Sequence, residues 1–306
     1  MAEKASSRMP SFLGFYIRNL GANVLGFVVI ALLNSFTPLE FFRLQRDYIF
    51  TQGDWKVFFL FSPLATFLVI LIQYRLQYPI SRFLRHETSD PIRASEIREK
   101  AQRRLLNLPF ILAFTNLVVY LLAPGFMVLS FYFFREIEPK TCLFIYFRAV
   151  MIGLIAASLS FFLIEDYSRR TLVPILFPRG RLAATPGTLK IPIARRIRAL
   201  YGAGTLNPMI LLLTTLIFTA LEERNAPVPV EFFVREMLVF TLILCAIFVI
   251  LAFGLNSLVQ NSIRNPIEEM LNTVEKVRDG DFAQRIKVLS GDEIGTLGDA
   301  GNAMIA

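Results

Sequence analysis

Six times along this chain an apolar run approaches the length needed to cross about 30 Å of hydrocarbon. The runs are 15–36, 57–77, 110–134, 143–164, 209–221 with its flanks, and 237–259. A backbone in lipid must satisfy its own N–H and C=O groups, so runs of this length are read as helices. The fifth run is the weakest, because its apolar core is short and needs Leu206 and neighbouring helices to complete a crossing. Composition agrees: 55% of the residues are hydrophobic, only 18% are charged, and 30 are Phe, which is unlike a soluble globular domain. The expected fold is all-α, a polytopic membrane protein with six transmembrane helices in three hairpins. The first run lacks a small-residue cleavage site and is read as a retained span. Cys142 and Cys245 lie in apolar runs and read as small hydrophobes, not as a disulfide frame.

Charge sets the expected topology. Eight Lys or Arg residues fall between Arg75 and Leu108, and eight more between Asp166 and Asn207. The intervening loops are short and hold Glu40, Asp47 and Asp54, then Glu136 and Glu138, then Glu222, Glu223 and Glu231. The positive-inside rule places the basic loops and both termini in the cytoplasm of a cell inner or plasma membrane. The net charge of +8 is therefore a topology signal, and no nucleic-acid partner is expected. Pro10, Pro109 and Pro208 stand 99 residues apart before outward-going spans, and Pro79-Ile80, Pro174-Ile175 and Pro266-Ile267 follow inward-going ones. This phasing suggests a hairpin repeated three times.

After the sixth span the pattern changes from continuous apolarity to heptads. Pro266 suits the first turn of a helix, where its missing N–H costs nothing. Ile267, Met270, Val274 and Val277 repeat at a/d spacing with charges outside. Asp279-Gly280-Asp281 ends that helix, and Phe282, Ile286 and Val288 are candidate anchors of an irregular connector. A second heptad run opens at Asp292-Glu293-Ile294-Gly295-Thr296-Leu297 and reaches Gly301, Asn302 and Met304. Helices this short are marginal alone, so a parallel homodimer sharing a four-helix core is expected. The proline-hydrophobic start, the Gly-Asp-Phe turn and the Asp-Glu-Ile-Gly-x-Leu box resemble a HAMP domain, the helical relay of prokaryotic membrane sensors. Gly301 departs from that pattern, which usually has a bulky apolar residue there, and a hole in the seam is expected. The chain thus divides into a membrane sensor or anchor, 1–262, and a HAMP relay, 263–306.

The external loops are too short for a soluble ligand-binding module with its own core. A stimulus would act within the bilayer, at its outer face, or through a partner. Phe41, Phe42, Tyr48, Phe50 and Trp55 read first as an interfacial aromatic belt. Asn19, Asn23, Gln73, Asn116, Thr214, Thr215 and Asn256 are candidates for interhelical hydrogen bonds, with plain bundle glue the bland reading. Arg148, Arg235 and Glu236 lie near the outer ends of spans four and six, where they would pair or snorkel. Pro63 and Pro124-Gly125 could kink their spans and open space for a hydrophobic or lipid-like ligand. His86 is the single histidine and has no ligand pattern around it, so no metal site is expected. With no glycine-rich phosphate loop and no nucleophile–base motif, no catalytic residue is expected in this chain.

Six spans followed by a HAMP-like relay, with the Arg103–Pro109 run of basic-Leu-Asn-Leu-Pro before span three, resemble the N-terminal part of prokaryotic class III adenylyl cyclases. The resemblance implies a membrane receptor and dimeriser for a C-terminal adenylate or guanylate cyclase domain outside these residues. ATP and Mg or Mn would belong to that domain, and no cofactor to this chain. A histidine kinase or phosphatase output is the alternative. A transporter-like module ranks behind both, because no strong midplane acid is visible.

Overall fold

A computed structural model describes residues 10–36, 55–85, 91–135, 137–178, 180, 182–223 and 230–306. The loop 37–54 with Phe41, Phe42, Tyr48 and Phe50, the residue His86, and the loop 224–229 lie outside the described residues, as do the side chains of Trp55, Pro63 and Glu236. The described chain is helical and holds no strand. Its long helices are α1 (Pro10–Phe36), α2 (Trp55–Arg85), α3 (Pro91–Arg135) and α4 (Pro139–Tyr167). There follow α5 (Val173–Leu176), α6 (Ile193–Tyr201), α7 (Asn207–Glu223), α8 (Val230–Val259), α9 (Asn265–Arg278) and α10 (Glu293–Ile305).

Five helical stretches among the described residues are long and apolar enough to cross a membrane: α1, α3, α4, the run from α6 into α7, and the run from α8 into α9. The run expected at 57–77 lies on α2, which has 31 residues. The chain is an all-helical membrane protein.

The prolines act differently from their expected role as helix starts. Pro109 lies inside the 45-residue α3, and Pro79 lies inside α2. Residues 91–108 of α3 therefore continue the third span as a stalk on the basic side of the bundle. Pro174, Pro208 and Pro266 each follow a five-residue π turn: Ser168–Leu172, Gly202–Leu206 and Gln260–Arg264. A proline ring collides with the carbonyl four residues earlier and cannot donate to it. Widening the preceding turn by one residue lets the helix pass the ring without breaking. The outcome is an unbroken helical path from Val230 to Arg278.

Inside the bundle, polar side chains converge on Asn19. Its Oδ1 accepts from Asn116 Nδ2 at 2.8 Å and from Ser160 Oγ at 2.7 Å, and its Nδ2 donates to Gln73 Oε1 at 3.1 Å. One amide thus joins α1, α2, α3 and α4. One turn away, Tyr120 donates to the Asn23 carbonyl at 3.1 Å. The Tyr120 ring sits where a Cβ on Gly26 or Gly153 would go, so these two glycines let α1, α3 and α4 close around it.

On the basic side, one apolar core packs Phe15, Ile80, Leu105, Leu108, Ile164, Leu172, Leu176 and Leu182 together. The α3 stalk grips the loop after α5. Gln102 Nε2 and Arg98 Nη2 donate to the Leu176 carbonyl at 2.7 and 3.1 Å. Arg103 Nε and Asn107 Nδ2 donate to the Gly187 carbonyl at 3.1 and 3.0 Å, and Asn107 Oδ1 accepts from Leu189 N at 2.7 Å. Gly187 turns there with a left-handed φ of 69°, a conformation that favours glycine. The Arg103–Pro109 run thus builds a platform beneath the spans.

Candidate functional site

The relay segment begins where α8 passes through its π turn into α9. The helix ends in a Schellman motif: Asp281 N donates to the Lys276 carbonyl, and Gly280 N to the Val277 carbonyl, both at 3.0 Å. Gly280 supplies the left-handed residue with φ of 97°. The connector then runs beside α10. The Asn302 side chain pairs with the Ile286 backbone, accepting from Ile286 N at 2.7 Å and donating to Ile286 O at 2.9 Å.

Asp292 caps α10. Its Oδ1 accepts from Ile294 N at 3.1 Å, from Gly295 N at 3.3 Å and from Ser290 Oγ at 2.5 Å. Such a cap satisfies backbone donors that the first turn leaves open. Gly295 is required by close approach: a Cβ there would overlap the Ser290 carbonyl oxygen. Thus the Asp-Glu-Ile-Gly box folds the connector tightly onto the start of α10.

The four apolar residues expected in one α9 seam face two ways. Met270 is buried with Ile286 and Ile294, against Ile193 of α6 and Ile263, and Val277 is half-buried. Ile267 and Val274 are about half exposed, together with Leu271. On α10, Leu297 and Met304 are exposed too, as is the expected anchor Phe282. Ile286 and Val288 do anchor, each only 6% exposed. The hole expected at Gly301 is filled: a Cβ there would lie 2.6 Å from Ile286 Cδ1. Glu293 reaches α6 and accepts from Ile193 N at 3.1 Å, and Pro266 holds the second position of α9.

The intramembrane candidates separate similarly. Asn19, Asn23, Gln73 and Asn116 belong to the polar network of the bundle. Thr214 and Thr215 instead bond to carbonyls one turn back in α7, while Asn256 is exposed on α8. Arg148 is 3% exposed and lies 5.2 Å from the centre of the Phe144 ring. Arg235 is exposed.

Sequence reasoning missed the strongest electrostatic feature, a buried cluster beneath the spans. Arg196 Nη2 lies 2.6 Å from Glu165 Oε1, and Arg169 Nη2 lies 3.1 Å from the same oxygen. The second carboxylate, Asp292 at the start of α10, presents Oδ2 to Arg196 Nη1 at 3.2 Å and to Arg169 Nη2 at 3.4 Å. The Arg196–Asp292 approach is an ion pair without hydrogen-bond alignment, since Arg196 Nη1 makes no hydrogen bond. Arg169 Nη1 donates to the Ser262 carbonyl at 2.9 Å. Two cations and two anions balance, which is the condition for keeping such groups away from water. The i,i+4 pair Glu165/Arg169 was the only local signal. A cavity of about 60 Å³ beside the cluster has room for water, well short of the roughly 300–1,000 Å³ of a ligand pocket. Among the described residues no group of three or more His, Cys, Asp or Glu side chains could hold a metal ion.

Residues 252–306 match the family model of the HAMP domain. No curated protein and no solved structure matches the chain. The match begins within α8, earlier than the boundary at 263, and takes in the π turn, α9, the connector and α10. The chain is therefore a membrane protein of long apolar helices that carries a HAMP domain, a signal-transducing relay, at residues 252–306.

Proposed function

We propose that the protein is a membrane receptor and dimerising relay, a parallel homodimer whose 1–262 part receives a stimulus and whose HAMP domain passes it to an output domain. The observation that supports this most is the unbroken helix from Val230 to Arg278. Such a rod carries rotation, tilt or a small shift from bilayer to relay. A second copy is the proposed cover for the apolar face of Ile267, Leu271, Val274, Leu297 and Met304 that one chain leaves exposed.

The relay side is assigned to the cytoplasm from its basic loops. The output assigned is a class III adenylate or guanylate cyclase, which the six-span layout and the Arg103–Pro109 run resemble. Such a domain would use ATP with Mg or Mn. A histidine kinase or phosphatase output fits the same relay. The stimulus fits a hydrophobic or lipid-like ligand, because the loops leave no room for a soluble sensor.

The test has two arms. Val274→Cys in membranes should crosslink between subunits, and Glu275→Cys should not. Equal crosslinking at both positions would sink the dimer. The chain fused after Ala306 to a class III cyclase catalytic domain should make cyclic nucleotide at a rate that changes with insertions before Pro266. A rate indifferent to them would count against the relay.

A further inference from the structure

We propose that the membrane domain holds the HAMP domain through a second, direct attachment: an ionic latch in which Arg169 and Arg196 bridge Glu165 of the fourth span to Asp292, the cap of α10. This rests on the relay reading above and adds a route that bypasses the α8–α9 rod. In the rod alone, only α9 would be steered by the bilayer. With the latch, α10 is steered as well, at its N-cap.

The geometry couples three moving parts through one cation. Arg169 stands at the foot of α4, in its π turn. One nitrogen, Nη1, holds Ser262 in the π turn between α8 and α9, and the other, Nη2, faces Glu165 and Asp292. Arg196 brings in α6, whose first N–H is held by Glu293. The apolar packing agrees, since Val288 of the connector belongs to the core of the membrane platform. At Gly180 a Cβ would meet Asp299 Oδ1 of α10 at 2.8 Å and the Val288 Cβ at 3.3 Å.

The docked face is Met270, Val288 and Ile294, while the face left for a second copy is Ile267, Leu271, Val274, Leu297 and Met304. One relay can therefore be latched and dimerised together. A shift of α4 relative to α8 changes the Arg169 contacts and so pulls on the α10 cap without any movement of the rod. Buried charges that lose a partner are strongly disfavoured. The latch therefore has two states, closed with two cations facing two anions and open with Asp292 withdrawn from the Glu165–Arg169–Arg196 group.

The test uses the whole chain in native membranes, with Cys142 and Cys245 changed to Ser. A Cβ placed on Gly291 lies 3.9 Å from the Leu182 Cβ, within disulfide range. Leu182→Cys with Gly291→Cys should form an intramolecular disulfide under mild oxidation. Adding Glu165→Gln and Arg196→Gln, which keeps the cluster neutral, should slow that reaction about tenfold and raise tryptic cleavage at exposed Arg285 and Lys287 in parallel. No disulfide in the otherwise unchanged chain, with cleavage at Arg285 already fast, overturns the latch. Equal disulfide rates and equal cleavage with and without the neutral pair overturn its ionic nature. Loss of the Val274→Cys crosslink between subunits, with the 182–291 disulfide intact, removes the dimer reading and leaves the latch standing.

Discussion

Arg169 donates to the carbonyl of Ser262 at 2.9 Å, the acceptor four residues before Pro266. In a regular helix that carbonyl would receive the N–H of residue 266, which proline lacks. A side chain from the fourth span thus donates to the carbonyl that residue 266, lacking an N–H, cannot reach. The mutation Pro266→Ala returns the missing N–H. Arg169→Met alone should cost about 3–5 kcal/mol, because it leaves buried carboxylates short of a partner. In the Pro266→Ala background the cost should fall by about 1 kcal/mol, the worth of one hydrogen bond. Urea titrations of tryptic protection at Arg285 give the four corners of this cycle. Strict additivity would show that the two groups do not share the Ser262 carbonyl.

Insertions between Val259 and Gln260 separate the rod from the latch. One added residue turns the relay by about 100° and should move the strongest intersubunit crosslink away from Val274→Cys. Seven added residues nearly restore the phase but displace the relay by about 10 Å along the axis. The Val274→Cys crosslink should then return while the 182–291 disulfide stays lost. Return of both would mean that α10 follows the rod alone.

The α9–α10 packing makes opposite demands at two glycines. Gly295→Ala should destabilise the domain by about 1–3 kcal/mol, since its Cβ meets the Ser290 backbone, which has nowhere to go. Gly301→Ala should be far milder, because only the end of the Ile286 side chain stands in its way. Gly301→Phe, however, must expel Ile286 from the cluster with Met270 and Ile294, and should lower the melting temperature. A raised one would restore the hole expected from the heptads.

Asn19→Leu removes the shared partner of Gln73, Asn116 and Ser160. The expected loss is about 1–2 kcal/mol, read as a lower unfolding temperature in detergent. Asn23→Ala should cost much less, because Tyr120 bonds to the backbone carbonyl there, not to the side chain.

What the sequence made legible was local. Apolar run length marks the spans, and Gly280 marks the end of α9, because each depends on residues within a turn or two. Pro266 also announced a helix, although the π turn before it was not foreseen: steric relief can break, kink or widen a helix, and the residue type alone does not choose. The division of Ile267 and Val274 from Met270 was illegible, because a heptad gives a stripe but not the neighbour that covers each edge of it. Arg169 and Arg196 were read only as topology charges, and Glu165 was not singled out. Their meeting with Asp292 depends on how three distant segments fold under the spans, and no spacing encodes that.

The π turns of residues 168–172, 202–206 and 260–264 have a mechanical consequence. Each stores one residue of slack at the rim, where a stiff rod in lipid becomes a lever in water. A helix with slack can be wound tighter or looser by a neighbour without losing its continuity. Two of these joints meet at a single guanidinium, since Arg169 lies within the first and holds Ser262 in the last. On the latch proposed above, the rim would work as a clutch. The rods on either side would keep their shape, and the angle between them would follow how firmly Arg169 grips.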